Sequence, residues 1–190
     1  MADKTDGLTW RAGARVEKWT PEQVTQVRAA IGHEPTAEDL AARIAPAEVV
    51  DAPGNLLTTA GLTRITSLIT GGGGQAATNT AARIGVGNGA GSAVIGDTDL
   101  SASAGAGNRY FQPMDATYPQ VAAGVTTFRA TFGASDGNFA WNEWGVDIGT
   151  PTVSGGTTVN ATLLNHKTSA GLGTKANGAV WTFTVTITLT

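Results

Sequence analysis

The sequence predicts a mainly β protein: an antiparallel β-sandwich or open barrel with an N-terminal arm of extended chain and two short helices, and one further helix near residues 58–70. Two observations support this fold class. The last segment, residues 180–190, alternates strictly between large apolar side chains and threonine, which is typical of a half-buried antiparallel strand. Shorter alternating segments precede it, separated by glycine-rich turns rather than by helical patterns.

Charge divides the chain near Asp51. The chain has 12 Lys and Arg and 15 Asp and Glu, and more than half of these charged residues taken together lie in residues 1–51, whereas most of the 26 glycines follow. Such a change in composition along a chain often marks a boundary between two parts of the structure. Residues 51–55, Asp-Ala-Pro-Gly-Asn, are typical of a turn. We therefore predict a docking arm over residues 1–51 and a β-rich body over residues 52–190.

The first helix of the arm is predicted from its capping residues. Thr20 is an N-cap with Pro21 at the first helical position and Gln23 three residues on, which is a capping box. Gly32 is placed to end the helix. The apolar stripe between them consists of Val24, Val27 and Ile31.

A second helix begins after Thr36. Asp39 stands at its third position, Leu40 and Ile44 face one way, and Pro46 stops it. Each helix has only two to three turns, and isolated helices shorter than about 12 residues are marginal in water. The two helices therefore need a surface on which to dock.

Two docking surfaces stay open at this point. The helices pack on the chain's own body, or they form an arm that lies on a neighbouring subunit or another protein. Residues 11–18, between Trp10 and Trp19, are a mixture of small residues and charged residues of both signs. This composition is compatible with an extended chain. The predicted contact residues of the arm are Trp10, Trp19, Val24, Val27, Ile31, Leu40 and Ile44.

The body begins with a helix over residues 58–70, whose stripe contains Leu62, Ile65 and Leu68 or Ile69. From there the period changes from helical to alternating. Strands are predicted over residues 82–86, 124–132, 138–146, 157–165 and 180–190. In the second of these, Phe128 and Phe132 share the apolar face.

Composition excludes several classes of function. There is no cysteine, and the two histidines are far apart in sequence, so we predict no disulfide, no metal site, no cofactor and no catalytic residue. The net charge of −3 disfavours nucleic acid as a partner. No apolar run is long enough for a membrane span, and the charged start is unlike a signal peptide.

Two motifs are open to a catalytic or cofactor interpretation. The glycines of residues 85–90 fit the dinucleotide fingerprint, but no helix pattern follows them, so a tight turn is expected. Glu143 and Asp147 are a candidate carboxylate pair. Four residues along a strand separate them by about 13 Å, which exceeds the spacing that glycosidases use, and a buried or interface-facing Glu143 between Trp141 and Trp144 is expected.

The tryptophans of this region and His166 are predicted from strand geometry and from their neighbours in sequence. Trp141 and Trp144 are three residues apart, so a regular strand directs them to opposite faces. One is then a core residue and the other a candidate contact for a saccharide. His166 has no second histidine nearby, and we expect it to be exposed to solvent.

Six short segments of the body form a recognisable set, namely Asn55-Leu-Leu-Thr-Thr-Ala-Gly, Ala82-Arg-Ile-Gly-Val-Gly-Asn-Gly, Phe128-Arg-Ala-Thr-Phe, Asn142-Glu-Trp-Gly-Val, Leu164-Asn-His-Lys and Leu172-Gly-Thr-Lys. On these segments the body, from about Asn55 to Thr190, resembles a family of small virion structural proteins of tailed bacteriophages. The resemblance implies a β-rich module of a phage particle without enzymatic activity. The arm lies outside it.

The resemblance leads to one expected function and two alternatives. The expected protein is a capsid decoration (minor capsid) protein on the virion exterior, which binds the outer shell and stabilises it through its N-terminal arm and β body. Its expected partners are the major capsid protein and copies of itself, with a trimer favoured. The first alternative is a tail-fibre or baseplate component, with host saccharides as a ligand. The second is an enzyme such as a wall hydrolase, for which Glu143 is the only candidate catalytic residue.

Overall fold

Two five-stranded antiparallel sheets face each other in the computed structural model, which describes residues 9–149, 152–154, 157–159 and 162–189. The strands are β1 (Trp10–Trp19), β2 (Glu48–Asp51), β3 (Leu56–Leu57), β4 (Ala82–Gly87), β5 (Arg109–Pro113), β6 (Gln120–Ala122), β7 (Val125–Phe132), β8 (Glu143–Ile148), β9 (Thr152–Ser154), β10 (Thr157–Val159), β11 (Thr162–Lys167) and β12 (Val180–Leu189). The helices are α1 (Pro21–Ile31), α2 (Ala37–Arg43) and α3 (Thr59–Ile69).

The predicted mainly β, sandwich-like class is confirmed. Sheet A has the spatial order β2-β1-β12-β7-β6, and sheet B has the order β3-β11-β8-β4-β5. Strands β9 and β10 pair with each other in a separate hairpin. The inner faces of sheets A and B share one apolar core, in which Trp141 contacts the rings of Phe132, Trp181 and Phe183.

The alternation of the last segment produces the central strand of sheet A. In β12 the side chains of Phe183, Val185 and Ile187 are buried in the shared core. The strand pairs with β7 on one side, where Phe183 lies opposite Ala130 and Val185 opposite Phe128. The predicted apolar faces of both strands are therefore the faces that meet sheet B.

Strand β1 occupies the other side of β12. The two strands pair from Trp10 opposite Leu189 to Trp19 opposite Val180, and β2 pairs with the outer edge of β1. The division at Asp51 into a docking arm and a separate body therefore needs correction. Residues 10–19 form an interior strand of the sandwich, because their alternating small and apolar side chains complete the inner face of sheet A.

The helix caps follow the sequence. Thr20 and Thr36 each form the capping box, with reciprocal bonds to Gln23 and Asp39, and Gly32 ends α1 with a left-handed φ of 79°. Helix α3 begins after Thr58, whose hydroxyl accepts from the amide of the third helical residue. Helix α2 ends earlier than predicted, at Arg43, well before Pro46.

Two predicted strands have different bounds. The strand expected over residues 138–146 begins only at Glu143, since residues 138–142 form a bend with a single bridge between Ala140 and Thr174. The strand expected over residues 157–165 is divided between β10 and β11. Strands β2, β3, β5, β6 and β9 are observed where the sequence predicts none.

Helices α1 and α2 pack on the outer face of sheet A at one end. Their apolar side chains form a second core with two residues of the sheet, and the side-chain indole of Trp19 donates to the carbonyl of Ile44 (3.1 Å). The members of this second core are Trp19, Val24, Val27, Leu40 and Val180, with Ile31 and Ile44 packed against them. Of the two docking surfaces, the structure shows the chain's own body.

Replacing Leu40 by alanine tests this packing in the isolated chain. Leu40 is completely buried in the second core, and such truncations cost about 2–5 kcal/mol. We expect L40A to lower the free energy of unfolding by this amount in denaturant titrations. The matched control L62A, at a residue that is 47% exposed, should cost much less. A stability of L40A equal to that of the wild type would mean that α2 is detached in solution.

Candidate functional site

The connection between β4 and β5, residues 88–108, covers charged side chains on the outer face of sheet B. We call it loop 88–108. Leu100 of this loop forms a small apolar cluster with Phe111 of β5 and Leu163 of β11. Asp99 forms an ion pair with the nearly buried Arg109 (2.7 Å). The loop is thus anchored by both apolar and ionic contacts.

The strongest anchor centres on Glu143 and His166, which are almost completely buried. The Nε2 atom of His166 lies 2.8 Å from Glu143 Oε2, and its Nδ1 atom lies 2.6 Å from Asp97 Oδ2. Glu143 also accepts from the backbone amides of Ser101 (2.9 Å) and Ala102 (2.7 Å) and from the Ser101 hydroxyl (2.7 Å). These five residues are called the Glu143–His166 network.

The network determines the charge of its members. Burial raises the pKa of Glu143, but hydrogen bonds from His166, Ser101 and Ala102 outweigh it and lower the pKa to about 2. Burial lowers the pKa of His166, but the hydrogen bonds with Glu143 and Asp97 outweigh it, and the net pKa is raised. An imidazolium that donates from both nitrogens to two carboxylates satisfies this arrangement.

The glycines of the candidate dinucleotide motif have a packing role here. A Cβ atom at Gly87 or Gly89 would collide with the carboxylate of Glu143, and one at Gly85 would collide with the ring of Phe111. The motif lies in β4 and at the start of loop 88–108, so the expected tight turn is replaced by a strand end. No helix follows it within loop 88–108, as the sequence indicated.

The Glu143–His166 network has no geometry for nucleophilic catalysis. The hydroxyl of Ser101 is bonded to Glu143, whereas a serine nucleophile needs a base such as imidazole. Both ring nitrogens of His166 face carboxylates, so neither is free to accept a proton. Asp147 is also buried, and burial and the charge of Asp99 raise its pKa to about 7.

Three expectations about this region are corrected. Trp141 and Trp144 are both buried in the shared core, because β8 begins after Trp141 and strand alternation does not link the two. Neither is an exposed saccharide contact. Glu143 is buried as expected, but amides and His166 hold it rather than the tryptophans. His166 is 1% exposed, not solvated.

Most of the predicted contact residues of the arm are internal. Trp19, Val24, Val27 and Leu40 are buried in the second core, so they are not available to a partner of the folded chain. Ile31 and Ile44 are partly buried against the same core. Trp10 lies at the other end of β1, partly buried against the shared core, and its indole donates to Asn55 (2.9 Å).

Exposed apolar side chains concentrate instead on α3 and on the turn of loop 88–108 at residues 94–97. Five of the seven large hydrophobic residues that are exposed among the described residues lie in these two segments. We call them the apolar surface, which consists of Leu62, Leu68, Ile69, Val94 and Ile95. Exposed apolar side chains that cluster on the surface are candidates for an interaction site.

The two segments of the apolar surface are fixed to the sandwich and to each other. The amide of Thr59 in α3 donates to the carbonyl of Ile95 (2.7 Å). Asp97 Oδ2 accepts from the amide of Val94 (2.8 Å) as well as facing His166. Helix α3 approaches β11 closely because Gly61 has no side chain, since a Cβ there would collide with Leu164. The surface is therefore preorganised.

Comparisons with models of known protein families, with curated proteins and with solved structures found no match. Within the described ranges, the structure contains no helix that is long and apolar enough to cross a bilayer. The same residues include no group of three or more potential metal ligands of the His, Cys, Asp and Glu types. The geometry of the chain itself therefore carries the functional argument.

Replacing Glu143 by glutamine tests the Glu143–His166 network. The change leaves His166 with one carboxylate and removes charge from a fully buried site, and breaking a buried ion pair costs about 3–5 kcal/mol. We expect E143Q to lower the free energy of unfolding near neutral pH by this amount. The control E17Q removes a partly exposed carboxylate 3.8 Å from Arg15 and should change it by at most about 1 kcal/mol. Equal effects would contradict the role of the network.

The acid dependence of stability provides a separate test. Glu143 has an ordinary pKa of 4.5 and a value of about 2 in the folded chain. Its stabilising contribution is therefore present above the higher value and is lost as the pH falls towards the lower one. We expect the stability difference between wild type and E143Q to narrow over this interval in chemical denaturation at stepwise lower pH. A difference that stays constant would show that Glu143 is not held as an anion.

Proposed function

We propose that the protein is a capsid decoration (minor capsid) protein of a tailed bacteriophage, which binds the outer shell and stabilises it. The observation that carries the proposal is the apolar surface on a preorganised sandwich, with Ile69 78% and Ile95 61% exposed. The resemblance of residues 55–190 to small phage virion proteins supplies the type of particle. Interfaces of this kind place function on a surface rather than in a cleft.

Helix α3 supplies the larger part of the proposed contact. Beside Leu68 and Ile69 runs an apolar groove of about 250 Å³ between the helix and the end of the sandwich. Trp10 and Leu189, from the paired ends of β1 and β12, line its far side. An aliphatic side chain of a capsid subunit that enters this groove would bury apolar area on both walls.

The proposed mode of attachment differs from an arm that clamps the shell. The apolar residues of α1 and α2 stabilise the chain's own sheet, so attachment falls to α3 and to the turn at residues 94–97. A deletion of residues 1–51 would also remove β1 and β2 from sheet A and so disturb the fold itself. Attachment is therefore tested by point substitutions. The proposed partners remain the major capsid protein and neighbouring copies, with a trimer favoured and the virion exterior as the location.

A tail-fibre or baseplate component is the alternative within the same class of particle. Copy number separates the two, because a decoration protein covers the shell in many copies and a tail part is present in few. Saccharide binding through an exposed tryptophan loses its basis, since Trp141 and Trp144 are both buried. An enzyme is not favoured, because the only histidine beside Glu143 is engaged at both nitrogens.

Charged substitutions on the apolar surface test the proposal. In the double variant I69D/I95D, two exposed residues would place carboxylates in a desolvated contact, and we expect at least a tenfold loss of binding to capsids that lack the protein. Co-sedimentation with purified capsids measures this. The free energy of unfolding should change by no more than about 0.5 kcal/mol per site.

The control is V49D, which changes an exposed aliphatic residue on edge strand β2 of sheet A. Val49 lies opposite Glu17 of β1, seven residues along that strand from the groove residue Trp10. V49D should bind capsids like the wild type. Undiminished binding of I69D/I95D would contradict the proposed contact, and absence of binding by the wild-type chain would contradict the decoration role itself.

A further inference from the structure

Two connecting segments meet at the end of the sandwich where β7 stops and β12 starts. Asn138 lies in the segment between β7 and β8, and Lys175 lies in the segment between β11 and β12. Their backbones are joined by the bridge between Ala140 and Thr174 and by the hydrogen bond from the Lys175 amide to the Phe139 carbonyl (3.1 Å). The two side chains are thereby held against each other.

Lys175 is an unusual lysine because it is 1% exposed. Its Nζ atom lies 2.8 Å from Asn138 Oδ1 and 2.7 Å from the carbonyl oxygen of Gly133. No carboxylate forms an ion pair with it among the described residues. Burial lowers the pKa of Lys175 to about 8, with the charge of Asp136 opposing the change. A desolvated amine that is largely neutral in mild alkali is a nucleophile.

The amide of Asn138 is held in one orientation. Its Nδ2 atom donates to the carbonyl of Ala134 (3.0 Å) and to Asn177 Oδ1 (3.3 Å). These bonds fix which end of the amide faces Lys175, so Oδ1 accepts from Nζ and the carbon Cγ lies one bond beyond it. Holding reacting groups in contact converts a slow bimolecular aminolysis into an intramolecular step.

A carboxylate stands two residues before Asn138. Asp136 interacts electrostatically with Lys175, and its own position is fixed by the Tyr110 hydroxyl (3.0 Å) and the Gly133 amide (2.9 Å). Its negative charge favours the positive charge that develops on Nζ during attack on the amide carbon.

We propose that Lys175 and Asn138 form an intramolecular isopeptide bond. The neutral Nζ amine attacks Cγ of Asn138 and forms a new N–C bond. The bond from Cγ to Nδ2 breaks, and Nδ2 leaves as ammonia with the proton that Nζ gives up. The reaction needs no oxidant, reductant or other reactant, and it replaces one amide by another.

The bond would tie the two sheets together at this end. The segment that contains Asn138 leads into β8 of sheet B, and the segment that contains Lys175 leads into β12 of sheet A. A covalent link of this kind constrains the unfolded chain, as a disulfide does, in a protein without cysteine. The proposal is independent of the decoration role.

Intact mass measurement of the purified wild-type chain is the test. We expect the folded protein to be lighter than its sequence by one ammonia, about 17 Da, after incubation at a pH of about 9, where the lysine is neutral. Tryptic digestion with tandem mass spectrometry should yield one branched peptide that joins Lys175 to residue 138. A wild-type chain that keeps its full mass and yields only linear peptides after this incubation overturns the proposal.

Variants assign the roles of the groups. K175M and N138A remove the nucleophile and the electrophile, and each should keep its full mass, whereas K167M should lose ammonia like the wild type. D136N should slow the loss of ammonia at least tenfold in a time course. Formation of the branched peptide in K175M would place the bond at another lysine and contradict the assignment.

Discussion

The pairing of β1 with β12 is the constraint on which the rest of the architecture depends. Ten residues near the start of the chain lie beside ten residues at its end, from Trp10 opposite Leu189 to Trp19 opposite Val180. The pairing closes the inner face of sheet A and brings α1 and α2 onto its outer face. Because these helices find their apolar partners within the chain, their buried apolar side chains are not available to a neighbour.

The outer face of sheet B carries ionised side chains that are shielded from water, chiefly Glu143 and His166. A buried carboxylate is costly unless hydrogen bonds and an opposite charge replace its hydration. Glu143 obtains both from His166 and from two amides of loop 88–108. The same bonds make the loop rigid and hold Asp97 in place. Because Asp97 contacts both His166 and the amide of Val94, the exposed turn at residues 94–97 is held in place by the same carboxylate that neutralises the buried histidine.

Local signals predicted the three helices and strands β4, β7 and β12, whereas the Glu143–His166 network depends on contacts between segments that are distant in sequence. Capping residues such as Thr20 fix helix starts within a few residues of sequence, and the alternation of β12 needs no information beyond the segment. His166, by contrast, finds Asp97 at a separation of 69 residues. A register shift in β11 between Leu163 and Asn165 also changes which side chains face outward. Neither feature leaves a periodic trace in the sequence.

The two ends of β12 have become chemically distinct. At its start, α1 packs on Val180 and the buried Lys175 lies close to Asn138. At its end, Leu189 lines the groove beside Ile69 of α3. Ten residues of strand separate these ends by roughly 30 Å, and a core of interlocking aromatic rings lies between them. The packing of the shared core and the second core holds the sandwich in one conformation. A partner that binds at α3 would therefore order few residues of this chain, and little conformational entropy would be lost on binding. The exposed apolar side chains of α3 thus lie outside the shared core that stabilises the sandwich.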